Sequence, residues 1–284
     1  MKESKVFQRI TVGIISFWLI LFVFFPNVLV FAVSFLTRDE ANLVSLRLTF
    51  ENYLKIADPV YLQTLITSSI MAFVTTVCCV IIAFPFSYIL SKIRSKYKNV
   101  FLSLIVIPFW TSALIRTYAI KTILTTNGII NALLLKVGVI NEPINMLYTQ
   151  GAVVAGLVYT LLPFMILPLY AALEKLDMRL VEAAQDLGAG KRQIFLRIII
   201  PLSAPGIIAG SMLVFLPALG LFYIPDILGG SKTLLLGNLI KNQFMDARNW
   251  PFGAAVSVTL TALMALLLLA NYRTVKSVSR KGIL

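Results

Sequence analysis

The chain has 284 residues, of which 59% are apolar and only 13% charged, with a formal net charge of +13 and no histidine. A soluble domain carries about 25% charged residues, and one core of this size could not hide so much apolar side chain. The composition therefore excludes an ordinary soluble protein. The missing histidine weakens any metal-site or acid–base catalytic reading.

The apolar residues come in long charge-free blocks. They predict an all-α membrane protein with six transmembrane helices at about 10–36, 61–90, 99–117, 150–173, 203–225 and 250–272. The first block is too long for a cleavable signal and no clean small-x-small site follows it, so it is expected to stay as a span. The segment from Arg38 to Asp58 reads as a loop with an amphipathic piece around Leu48 to Ile56. Cys78 and Cys79 are neighbours in the second span and predict two buried thiols without a disulfide. Ser91 to Lys98 is a short basic turn. The third block is borderline by its charges, since Asn99 to Ile115 holds 17 residues, which still reach about 25 Å as a helix. Arg116 to Gln150 is a long excursion with short helices, and its stretch 122–135, like 233–240 further on, is too short to span and reads as interfacial or re-entrant. Prolines 85, 108, 163, 168 and 217 fall inside the spans and invite kinks.

Charge orients the chain. With the N-terminus inside, the inner segments carry 16 cations and the outer ones 9, while acids run the other way, so the positive-inside rule places both termini in the cytoplasm. Because the positive charge lines one membrane face, it is explained by topology and anionic lipid and calls for no nucleic-acid partner. The domain reading is a single transmembrane unit over 1–284 with a cytoplasmic loop at 174–202.

That loop carries the strongest signal. Asp177 can cap a helix over Met178 to Leu187, Gly188 can end it in the left-handed conformation, and a second helix over Lys191 to Ile199 is expected to stop at Pro201. Leu180, Ala183, Ala184 and Leu187 make a small apolar face suited to a docking partner. Gly188-Ala-Gly190-Lys191 is not a phosphate loop, because Gln185 and Arg192 stand where that motif needs glycine and Ser or Thr. No ATP site is visible. The pattern Glu182-Ala183-Ala184, Gly188, Ile198, Ile200-Pro201 resembles the EAA loop of permease subunits of bacterial ABC importers, with Ile200 where the family usually has leucine. The resemblance implies the type I importer permease fold, with a coupling helix–turn–helix in which Glu182, Ala183, Ala184, Gly188 and Pro201 engage a separate ATPase dimer. It also implies a second permease subunit, an extracytoplasmic solute-binding protein and a place in the bacterial cytoplasmic membrane. ATP would be bound by the partner and no cofactor by this chain.

Further motifs, Ile107-Pro-Phe-Trp-Thr-Ser-Ala-Leu-Ile-Arg116, Leu216 through Gly230, and Trp250-Pro-Phe-Gly-Ala-Ala255, resemble the spermidine/putrescine branch of the same family. A polyamine path wants aromatic faces and an occasional carboxylate. Trp110, Tyr159, Tyr223 and Asp226 fit those roles; equally, the rings could form an interfacial belt and Asp226 could cap a short helix. Arg116 and Lys121, placed near the outer mouth, would repel a polycation and imply that a more acidic partner completes the path. A permease of this family for a thiamine-like cation, iron or an opine remains a second reading. An ATP-independent transporter is a third, disfavoured by the absence of charge inside the six blocks.

Overall fold

In a computed structural model the chain is described over residues 2–39, 43–93, 95–230 and 233–280. Arg94, Lys232 and Lys281, which enter the charge count, lie outside the described residues. The chain forms two compact units, residues 1–63 with 239–263 and residues 64–238 with 264–284.

In the first unit, α1 (Lys2–Leu19) passes through a wide π turn at Ile20–Phe24 into α2 (Phe25–Val33), giving a 26-residue apolar span, Gln8–Val33. The wide turn relieves the clash that Pro26 would make with the preceding turn. Asn27 Nδ2 donates to the Val23 carbonyl at 2.7 Å. The next segment departs from the expected loop. Strands β1 (Leu36–Asp39) and β2 (Leu43–Leu48) pair antiparallel, with Arg38 opposite Val44, and a bulge between Leu36 and Thr37. A short helix, α3 (Glu51–Ile56), closes on this hairpin. Buried Asn52 holds the two together, donating to the carbonyls of Ser34 at 3.0 Å and Leu36 at 2.9 Å. Phe35 packs on Phe50 and Tyr53. The hairpin is the single departure from an all-helical fold among the described residues.

The helix α4 (Pro59–Lys92) runs from the first unit into the second. There follow α5 (Ser95–Val106), a 3-10 turn at Ile107–Trp110, α6 (Ala113–Leu124), α7 (Ile129–Val137) and α8 (Gln150–Glu174). Next come α9 (Met178–Asp186), α10 (Lys191–Ile194), α11 (Ile200–Gly220), α12 (Leu236–Met245) and α13 (Trp250–Arg280). Cys79 is buried and Cys78 half-buried, and both are free thiols.

Two boundaries differ from the sequence expectation. First, residues 99–117 are not one helix: Pro108 opens the tighter 3-10 turn, Thr111 is extended (φ −91°, ψ 147°), and α6 starts afresh at Ala113. The stretch of that region long and apolar enough to cross a bilayer is Ala113–Val137, which joins α6 and α7 and takes in Arg116, Lys121 and Lys136. Within it α6 ends at extended Thr125 and α7 starts after extended Gly128, so the stretch 122–135 holds a turn between two short helices. Second, Pro201 does not stop a helix. A π turn at Phe195–Ile199 widens the coil just before it, so the helical run continues from Lys191 to Gly220 as one 30-residue candidate span. Proline at the first turn of the resumed α-helix loses no bond that the wide turn has not already given up.

Small residues bring α8 and α11 together in the second unit. A Cβ built on Gly206 would lie 2.5 Å from Ala172 Cβ and 2.8 Å from the Pro168 carbonyl, so the backbones touch directly there. The connection after α7 is pinned by Asn131, which is 1% exposed. Its Nδ2 donates to the carbonyls of Ile144 at 2.9 Å and Thr125 at 3.3 Å, and its Oδ1 accepts from Ile144 N at 3.0 Å. Asn131→Ala leaves those backbone groups without their partner and is expected to cost about 2–4 kcal/mol. The check is a thermal midpoint in detergent, which should fall by several degrees; an unchanged midpoint would show the pin to be dispensable.

Candidate functional site

Asp177 caps α9 as expected, its Oδ1 accepting from Arg179 N at 3.0 Å. Val181 is the inward anchor of this helix at 6% exposed. Glu182 and Ala183 are exposed, Ala184 is half-buried, and Leu187 stands 89% exposed just past the helix end. Gly188 takes φ +80°, with open space where a Cβ would go. The Ala189 amide then bonds back to the Ala184 carbonyl at 2.9 Å, closing the helix end. Gly190 opens α10, where Gln193 Oε1 accepts from its amide at 3.1 Å. Glu182, Ala183 and Gly188 are thus exposed near the end of α9, with Ala184 half-buried beside them. Pro201 is not among them; it sits in the first turn of α11 beyond the π turn. A groove of about 600 Å³ runs between α8 and α11, with Leu180, Lys175 and Pro205 in its walls. Lys98 of α5 pairs with Glu174 at 2.9 Å, at the point where α8 gives way to the connection into α9.

A second feature lies about half-way along α8. A cavity of about 550 Å³ is walled by Phe109 and Trp110 of the 3-10 turn, Arg116 of α6, Thr160 and Phe164 of α8, and Tyr223 after α11. The break at Thr111 presents Trp110 with 84% of its surface exposed. Phe109 meets Phe164 edge to face at 5.3 Å. The Arg116 guanidinium carbon lies 5.5 Å from the Phe109 ring centre and 6.0 Å from that of Tyr159. Trp110 and Tyr223 therefore share one cavity, and Tyr159 joins it through Arg116.

Asp226 stands apart. It lies in the π turn Pro225–Gly229, outside the cavity wall, and accepts a hydrogen bond from the Asn238 side chain, whose Nδ2 also donates to the Phe222 carbonyl at 3.0 Å. In this structure the carboxylate ties the π turn to α12. Sequence reasoning missed Phe109 and Arg116 as residues of this wall. The Pro108-Phe-Trp motif and the position of Arg116 directly after a charge-free block were the signals available.

Residues 63–280 match the family model described as the inner membrane component of binding-protein-dependent transport systems. The chain belongs to this family. Inner-membrane components of this kind are non-catalytic, multi-pass subunits of ABC importers, which work with an ATPase and a solute-binding protein. The chain is 54% identical, over 97% of its length and 96% of the relative's, to the spermidine/putrescine transport system permease protein PotB of Haemophilus influenzae. It is 51% identical to the protein of the same name from Escherichia coli, over 93% of this chain and 96% of that one. Among solved structures, a chain of a bacterial alginate ABC transporter superposes with a TM-score of 0.75 at 14% identity, covering 95% of this chain and 93% of that one. The fold is thus the type I ABC importer permease fold anticipated from the loop pattern, with six helical stretches able to cross a membrane.

Proposed function

We propose that this chain is a permease subunit for polyamines, spermidine and putrescine among them, forming half of a translocation path and coupling it to a separate ATPase. The observation that carries the reading is 50–54% identity, along nearly the whole chain, to permeases named for spermidine/putrescine transport. The cavity chemistry agrees: Trp110, Phe109 and Tyr223 offer ring faces that attract ammonium groups, and the apolar wall suits the methylene stretches between them. On this reading Glu182, Ala183, Ala184 and Gly188 project from the cytoplasmic side into a cleft of the ATPase dimer, and Pro201 sets the wide turn that carries their motion into α11. Both termini are then cytoplasmic, a homologous second permease supplies the other half of the path, and a capture protein delivers the solute.

Uptake into vesicles tests the path. Trp110→Ala is expected to lower spermidine uptake several-fold in a complex that still assembles, since each lost ring face removes about 0.5–2 kcal/mol of cation attraction. Asp226→Asn, which keeps a partner for Asn238, is expected to have the smaller effect. Wild-type uptake in both variants would remove these residues from the path.

A further inference from the structure

Arg116 is the charged member of a cavity wall otherwise made of aromatic, apolar and hydroxyl side chains. Its Nε is buried and has no hydrogen-bond partner among the described residues. Among the described residues Arg116 has no carboxylate partner. What faces its guanidinium instead are the rings of Phe109 and Tyr159, at 5.5 and 6.0 Å. Arg116 is half-buried, and a guanidinium beside two rings is held by the ring quadrupoles, an attraction that grows as water is excluded. Of these, Phe109 lines the cavity, and its face is one that an ammonium group entering the cavity would use.

We propose that Arg116 is a tethered competitor for the substrate: it occupies the Phe109 face of the empty path and gives it up to each passing ammonium group. The proposal rests on the polyamine reading above. Exchange of one cation for another over the same ring keeps the site from becoming a trap, and a path must bind its solute weakly enough to release it. The tether also spares the empty cavity an unoccupied ring face that any small cation could take. Arg116 is therefore a specificity-determining residue whose positive charge lowers affinity on purpose, which resolves why a cation lines a path for polycations.

The test is equilibrium dialysis of radiolabelled spermidine against the purified permease–ATPase complex without its capture protein. Arg116→Gln is expected to bind spermidine about 2–30-fold tighter than wild type, the range that one freed ring face supplies, while ATP-driven turnover falls. Arg116→Lys, which restores a competing cation, should return to wild-type affinity. Phe109→Ala in the Arg116→Gln background should cancel the gain. Arg116→Met serves the same comparison if the glutamine variant does not assemble. Unchanged or weaker binding in the neutral variants overturns the proposal, and weaker binding would mean instead that Arg116 receives an anionic group. If the wild-type complex with its capture protein takes up no spermidine, the polyamine reading fails and this inference with it; if wild type transports and the neutral variants bind no tighter, only the role of Arg116 fails.

Discussion

Glu182→Lys is expected to cut ATP-driven uptake tenfold or more while the permease still folds and inserts. Glu182 is exposed on α9 and makes no hydrogen bond or ion pair among the described residues, so the substitution removes no contact that holds the fold. A reversed charge at a docking surface sets like charges together, and a tenfold change needs only about 1.4 kcal/mol. Gly188→Val should act similarly by another route. The position holds φ +80°, where a β-branched residue costs about 1–3 kcal/mol, and relaxing that strain would break the Ala189–Ala184 bond that ends α9. No side chain crowds Gly188, so the penalty is conformational rather than steric. Gly188→Asn, a residue that tolerates the left-handed region, should therefore keep most of the uptake. The readouts are ATP hydrolysis and spermidine uptake in the same vesicles. Hydrolysis that continues without uptake supports the coupling role, and coupled wild-type transport in Glu182→Lys and Gly188→Val contradicts it.

The second large effect is steric. Gly206→Ala puts a methyl group 2.8 Å from the Pro168 carbonyl and 2.5 Å from Ala172 Cβ, neither of which is the end of a flexible side chain. The two helices α8 and α11 must separate, at a cost of about 1–3 kcal/mol or more. Gly210→Ala is a milder contrast, because its nearest obstacle is the side-chain atom Met165 Sδ at 2.6 Å, with the Met165 carbonyl at 3.2 Å. Thermal unfolding in detergent should therefore rank the variants: wild type highest, Gly210→Ala intermediate and Gly206→Ala lowest. The reverse order would mean that the contact between α8 and α11 adjusts more easily than the close backbone approach implies.

Much of this was legible before any coordinates. Long charge-free blocks in lipid have one solution, the helix, so the six long apolar helices followed from residue type alone. The Asp177 cap, the extent of α9 and the left-handed Gly188 were written in local chemistry that depends on a few neighbouring residues. What was hidden depended on how proline is accommodated. Pro201 reads as a stop, but a π turn absorbs it and lets α11 continue. Pro108 reads as a kink within a span, but the 3-10 turn and extended Thr111 break the helix and swing Trp110 outward. The hairpin over Leu36–Leu48 escaped notice because the alternation in Leu43-Val-Ser-Leu-Arg-Leu48 is brief and sits beside an apolar span.

The path residues divide for the same reason. Trp110 and Tyr223 are far apart in sequence, and only the break before α6 brings them to one cavity. Arg116, counted by its charge as an outer residue, is drawn into that wall by the same break, against rings that stabilise it. Asp226, chosen because an acid beside a span suggests function, also accepts a hydrogen bond from Asn238.

The most direct test of the central claim is solute uptake by the complete complex, with its ATPase, second permease and capture protein, reconstituted in vesicles. Supplied with ATP and labelled spermidine, putrescine or thiamine, it is predicted to accumulate the two polyamines in an ATP-dependent manner and to leave thiamine outside. Accumulation of thiamine without either polyamine, or polyamine entry that proceeds equally well without ATP, would contradict the account.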